Sequence, residues 1–197
     1  MNSETAKLSR YTRTAIALHW IIALLIAINI ALIWSVSLFP DNAVRLVIDT
    51  HKSTGITVLG LVILRLLWRR ANLPPALPAA YPAWEKRLAH AAHLALYALM
   101  LALPLSGWMH DSAWKAAAQF PMKLFYLVPW PRIGLISNLD PQTKESLHDF
   151  FGHIHVWLSY ALYAMFFLHI AGAFKHQWWD KDAELQRMLP PRRRRSG

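Results

Sequence analysis

Four stretches of this chain are long and apolar enough to cross a lipid bilayer, and that constrains the fold more than any other feature. Ala15 to Val36 (AIALHWIIALLIAINIALIWSV) holds no charged residue beyond a protonatable His19. At ~1.5 Å rise per residue it covers the ~30 Å hydrocarbon core as a helix. It is longer than the apolar core of a secretory signal and is not followed by a small-residue cleavage pattern, so the sequence predicts a retained first span. Leu46 to Trp68 is the weakest span. Asp49, His51, Lys52 and Thr54 occupy its first part, and polar groups inside a bilayer are costly unless they face a bundle interior. Leu88 to Met109 and Phe150 to Phe174 complete the set, with Pro104 near the far end of the third span predicting a kink there. The expectation is therefore an all-α integral membrane four-helix bundle in one domain, with spans at about 15–36, 46–68, 88–109 and 150–174.

Charge sets the orientation. The chain is 55% apolar yet carries a formal net charge of +10, and most of its 21 lysines and arginines flank the same ends of the spans. Lys7, Arg10 and Arg13 precede span one, Arg65, Arg69, Arg70, Lys86 and Arg87 surround the second connection, and the tail PPRRRRSG follows span four. The positive-inside rule puts both termini in the cytoplasm, and the basic tail is placed to touch anionic lipid. The four spans leave no folded soluble module for nucleic acid. The Pro-rich NLPPALPAAYP (Asn72 to Pro82) is a stiff cytoplasmic connection, and Trp84 anchors the next helix at the interface. The outer loop, about 110–149, carries Trp114, Phe120, Phe125, Tyr126 and Trp130, which suggest a segment lying along the membrane surface.

The histidines call for a chemical explanation. There are ten, with no cysteine, so a metal here must be held by nitrogen or oxygen. His19, His51, His90, His93, His155 and His169 fall inside or at the ends of spans. Neutral imidazole ligates haem iron, and a helical bundle offers the apolar slot that a porphyrin requires. Depth then pairs them. His19 and His169 each lie roughly 6 to 8 Å below the cytoplasmic face, and His51 and His155 lie at matching depth near the outer face. His155 and His169 are separated by about 21 Å along the helix and by only ~40° short of four full turns, so one helix can carry two stacked haems. The expected cofactors are two haem b, an inner one on His19 and His169 and an outer one on His51 and His155. With both irons satisfied, His90 and His93 are left to serve propionates, water or a quinone. His148 and His153 flank His155, but His153 points about 200° away from it around the helix.

These motifs carry a resemblance. RTAIALHW, DTHKSTG with LRLLWRR, HAAHLALYALMLALPLSGW, HVWLSYALYAMFFLH and HQWWDKDAELQRMLP together resemble the bacterial cytochrome b561 family, di-haem four-helix proteins related to the cytochrome subunits of membrane hydrogenases and formate dehydrogenases. The resemblance covers nearly the whole chain. It implies the same four ligands, His19, His51, His155 and His169. Val156 departs from it, since the family often has glutamate directly after that ligand.

The family includes a superoxide oxidase that passes electrons from superoxide to ubiquinone. On that reading Lys115, Lys123 and Arg132, aided by Arg45 and Lys52, steer a small anion toward the outer haem. Quinone binds near the inner haem, where His176 and His90 stand beside Trp178 and Trp179. The alternative is an electron-transfer subunit that docks a partner dehydrogenase or a periplasmic redox protein and has no substrate of its own. A haem-free histidine-bearing proton channel or pH sensor is the third class. The expected setting is a bacterial inner membrane.

Overall fold

A computed structural model describes residues 10–77, 81–182 and 184–190 of the 197-residue chain. Lys7, part of the Pro-rich connection (78–80) and the arginine-rich tail beyond Pro190 lie outside the described residues. The chain runs α1 (Arg13–Trp34), a 3-10 turn (Val36–Leu38), α2 (Asp41–Ala71), α3 (Ala83–Ser112), β1 (Lys123–Leu124), β2 (Val128–Pro129), α4 (Gly134–Ser137), α5 (Pro141–Phe174) and α6 (Glu184–Arg187). Four of these helices are long and apolar enough to span a membrane, and the molecule is an all-α membrane helical bundle.

Local chemistry sets the helix ends. Thr12 caps α1 by accepting a hydrogen bond from the Ala15 amide at 3.2 Å. Pro40 and Pro82, both extended, stand immediately before α2 and α3. Asp140 caps α5, accepting from the Thr143 amide at 3.0 Å with Pro141 as the first helical residue. The weak second span is thus part of a 31-residue helix, and α5 begins well before the apolar run at Phe150.

Large apolar side chains on the outside, such as Leu24, Trp34, Leu94, Trp157 and Leu168, are exposed, as a lipid-facing surface requires. Inside, α1 packs along α2, α2 along α3, and α3 along α5, whereas α5 meets α1 and α2 through side chains. At mid-height Leu162 of α5 joins Ile22, Ile26, Val58, Val62 and Leu96 in one buried cluster. This cluster divides the interior into two compartments.

The loop end is folded. The strands pair antiparallel, Lys123 with Pro129 and Leu124 with Val128, and the turn between them puts Phe125 (φ 48°) and Tyr126 (φ 62°) in the left-handed region. Bulky residues rarely adopt that region. The turn is held there by the Phe125 amide donating to Ser53 Oγ at 2.9 Å and by Tyr126 reaching Asp49. At the opposite, terminal end the chain after α5 folds back, with Trp20 Nε1 donating to the Met188 carbonyl at 2.7 Å and the buried Arg187 to that of Ala76 at 2.8 Å.

Candidate functional site

Two pairs of histidines face each other across the gap that separates α5 from α1 and α2. At the terminal end the rings of His19 and His169 stand 6.1 Å apart, centre to centre, at 72°. At the loop end the rings of His51 and His155 stand 6.1 Å apart at 84°. Two imidazoles trans across one metal, each with a metal–nitrogen bond of about 2.0 Å, place their ring centres roughly 6 Å apart. Both pairs therefore have the spacing of a trans ligand pair, and nitrogen donors in an apolar slot suit haem iron.

The loop-end pair is also oriented. His155 Nδ1 lies 3.1 Å from the Leu103 carbonyl and 3.1 Å from Ser106 Oγ. Ser106 gives its own hydrogen to Leu103, so Nδ1 carries the proton and Nε2 keeps its lone pair for a ligand. His51 Nδ1 approaches the Asn29 carbonyl at 3.4 Å, which favours the same tautomer. Gly107 makes room, because a Cβ there would meet His155 Cε1 at 3.0 Å.

Around the terminal pair His93 is a third imidazole in the compartment, 5.5 Å from His169, with its Nδ1 bound to the Ala89 carbonyl at 2.7 Å. His90 sits one side over on α3 and is exposed, its Nδ1 on Lys86 O. His176 lies in the π-turn after α5, stacked on Tyr81 at 5.0 Å and 2.8 Å from an Asp180 oxygen. Lys175 donates to the same carboxylate at 2.8 Å and holds the Asp180 carboxyl below its ordinary range. Trp178 and Trp179 project outward.

The loop-end cations divide into two kinds. Lys115 and Lys123 are exposed, and among the described residues neither forms an ion pair. Arg132 does not belong with them. Its guanidinium donates to Asp111 at 2.9 Å, to the Ala117 carbonyl at 2.7 Å and to that of Phe120 at 2.8 Å, with Asp111 only 4% exposed. It ties the loop together, its guanidinium held by these partners. Lys52, next to His51, is likewise held by Asp111 at 2.7 Å, and Arg45 by Asp49 at 2.9 Å beneath Trp114 and Phe120. Val156 is exposed on the bundle surface, away from the slot.

One arrangement was invisible in the sequence. His110 of α3 and His148 of α5 stack at 3.8 Å and 19°, and each Nδ1 donates to the other residue's carbonyl, at 2.8 and 3.0 Å. Gly152 permits the approach, since a Cβ there would lie 3.1 Å from His110 Cε1. His153 is exposed, its Nδ1 on Asp149 O within its own helix.

A family model described as prokaryotic cytochrome b561 matches residues 10–191. Cytochrome b561 homolog 2 of Escherichia coli (strain K12) is 31% identical over 91% of both chains. Cytochrome b561 homolog 1 of the same organism is 28% identical over 94% of this chain and 100% of its own. A protein named probable superoxide oxidase CybB, from Yersinia pestis, is 29% identical over 93% of this chain and 98% of its own.

The His110–His148 brace has a signature of its own. Because its two bonds and its stack depend on each other, His110→Ala and His148→Ala should each cost about 1 to 2 kcal/mol, and the double variant little more than either single one. Thermal unfolding of the four proteins in detergent measures this, and additive losses would mean that the two rings act separately.

Proposed function

We propose, on the premise that this chain belongs to the prokaryotic cytochrome b561 family of membrane electron-transfer proteins, that it holds two b haems and carries electrons from superoxide to ubiquinone. The observation that carries this reading is the repeated 6.1 Å spacing of two histidine pairs, each with one member on α5 and the other on α1 or α2, at opposite ends of the bundle. His19 and His169 hold the inner haem, and His51 and His155 the outer one. A haem in each compartment supplies one-electron redox chemistry and a relay between the two faces.

The residues do the rest. Ser106 and the Leu103 and Asn29 carbonyls keep Nδ1 of the outer ligands protonated, so that Nε2 faces the slot. The cluster of Leu162, Val58, Val62 and Ile26 keeps water from joining the compartments. In the orientation set by the basic residues of the terminal end, that end is cytoplasmic and the folded loop faces the periplasm of a bacterial inner membrane. Two superoxide ions give up one electron each and leave as dioxygen at the loop end. One ubiquinone takes those two electrons, with two protons, at the terminal end, where His176 beside Tyr81 and Asp180 offers a proton path.

His51→Ala and His155→Ala each remove the outer haem, and His19→Ala and His169→Ala the inner one, read from the haem-to-protein ratio and low-temperature spectra. Two bis-histidine haems in any of the four break the pairing. Superoxide generated in solution then reduces the air-oxidised parent without a partner protein, and a water-soluble quinone reoxidises it. A chain reduced only by a partner dehydrogenase or periplasmic redox protein leaves superoxide unreacted, which is the result for the docking-subunit alternative.

Lys115→Gln with Lys123→Gln lowers the bimolecular rate with superoxide at low salt by up to about tenfold and flattens its salt dependence, with both haem spectra intact. Arg132→Gln instead loosens the loop. A Lys115/Lys123 variant reacting at the parental rate removes steering from the account. His176→Ala slows quinone reduction and alters its pH dependence while haem reduction by superoxide stays normal. Unchanged quinone kinetics would take His176 out of the proton path.

A further inference from the structure

Arg65 lies 14 residues after His51 on α2, the interval that separates His155 from His169 on α5. That interval carries it about 21 Å along the axis and leaves it on nearly the same side of the helix. Arg65 thus stands at the level of His19 and His169. It is partly buried, with Nε donating to Tyr97 Oη at 3.0 Å and Nη1 to the Ala15 carbonyl at 3.2 Å. Those two bonds fix the guanidinium and leave other N–H groups unspent.

What is missing beside it is an anion. At the loop end, Arg45, Lys52 and Arg132 each have a carboxylate within 3 Å. At the terminal end, among the described residues, Arg65 and Arg69 have none within 4 Å. A cation inside a spanning bundle is costly unless paired. The two arginines instead line a small cavity with Tyr11, Ala15, Trp68 and Tyr97, none of them acidic. Ala15 is one helical turn from His19, and Arg69 one turn from Arg65, so the cavity lies about a turn to the terminal side of the histidine level. An arginine fork matches a carboxylate or phosphate in two-point contact.

We infer that Arg65, with Arg69 beside it, is an oxyanion seat whose occupants are the propionate carboxylates of the inner haem. The inference rests on the reading that His19 and His169 hold that haem. A phospholipid phosphate presents the same chemistry, so the test separates the two sources.

The full-length chain, purified in detergent and stripped of haem, is reconstituted with haem b or with its dimethyl ester, which lacks the carboxylates, and inner-haem loss to apomyoglobin is timed. With haem b, Arg65→Gln should lose the inner haem roughly tenfold faster than the parent, the loss of one charge-assisted contact. Arg65→Lys should recover part of the difference. With the ester all three should release at the same rate. Equal rates with haem b, or an Arg65→Gln effect that persists with the ester, overturns the assignment. If haem retention is unchanged and Arg65→Gln instead lowers retention of phosphatidylglycerol over phosphatidylcholine in native mass spectrometry, the seat holds a lipid phosphate and the assignment is overturned. A parent that takes up only one haem overturns the underlying histidine pairing, a result distinct from all of these.

Discussion

Everything in this bundle is arranged around the distance at which α5 is held from α1 and α2. Helices in a bilayer approach closely wherever small or apolar side chains let them, and α3 does so with α5. Yet α5 meets α1 and α2 through side chains at mid-height, and above and below that level one imidazole pair at each end faces across the opening at the same 6.1 Å. Without a ligand between them, such rings would leave polar nitrogens facing an apolar slot, at a cost in a medium with no water to satisfy them. The chain's membership of a family of b-type cytochromes supplies the group that suits this spacing.

The two ends solve different electrostatic problems. At the loop end three cations are neutralised internally: Asp111 binds Lys52 and Arg132, and Asp49 binds Arg45, so the folded loop is tied onto α2 directly above His51. The strained Phe125–Tyr126 turn is pinned to Ser53 on the same helix. At the terminal end Arg65 and Arg69 line a cavity and have no carboxylate partner among the described residues. Charge balance there calls for something the chain does not itself provide.

How much of this was legible in the sequence depended on range. Four spans follow from hydropathy because the bilayer sets a length. His19, His51, His155 and His169 could be matched by depth because helical rise is fixed at ~1.5 Å per residue. The early start of α5 has a local signal, Asp140 followed by Pro141, that lies ahead of the apolar run. Contacts between distant segments gave no such signal. The reciprocal His110–His148 bonds join residues 38 apart, and nothing local distinguishes Arg132, a loop clamp, from Lys115 and Lys123, which are exposed. Arg65 looked like one more topogenic charge, and only the three-dimensional placement of Tyr97, Ala15 and the histidines beside it gives it another role.

The central claim is that each facing pair is a trans ligand pair for one haem iron. The most direct measurement is low-temperature electron paramagnetic resonance of the oxidised protein, quantified against protein and haem. Ring planes at 72° and 84° are close to perpendicular, so the account predicts two low-spin ferric haems per chain, both with the large-g, strongly anisotropic signal of crossed imidazoles. One haem per chain, a high-spin signal, or the rhombic signal of parallel imidazoles would contradict it.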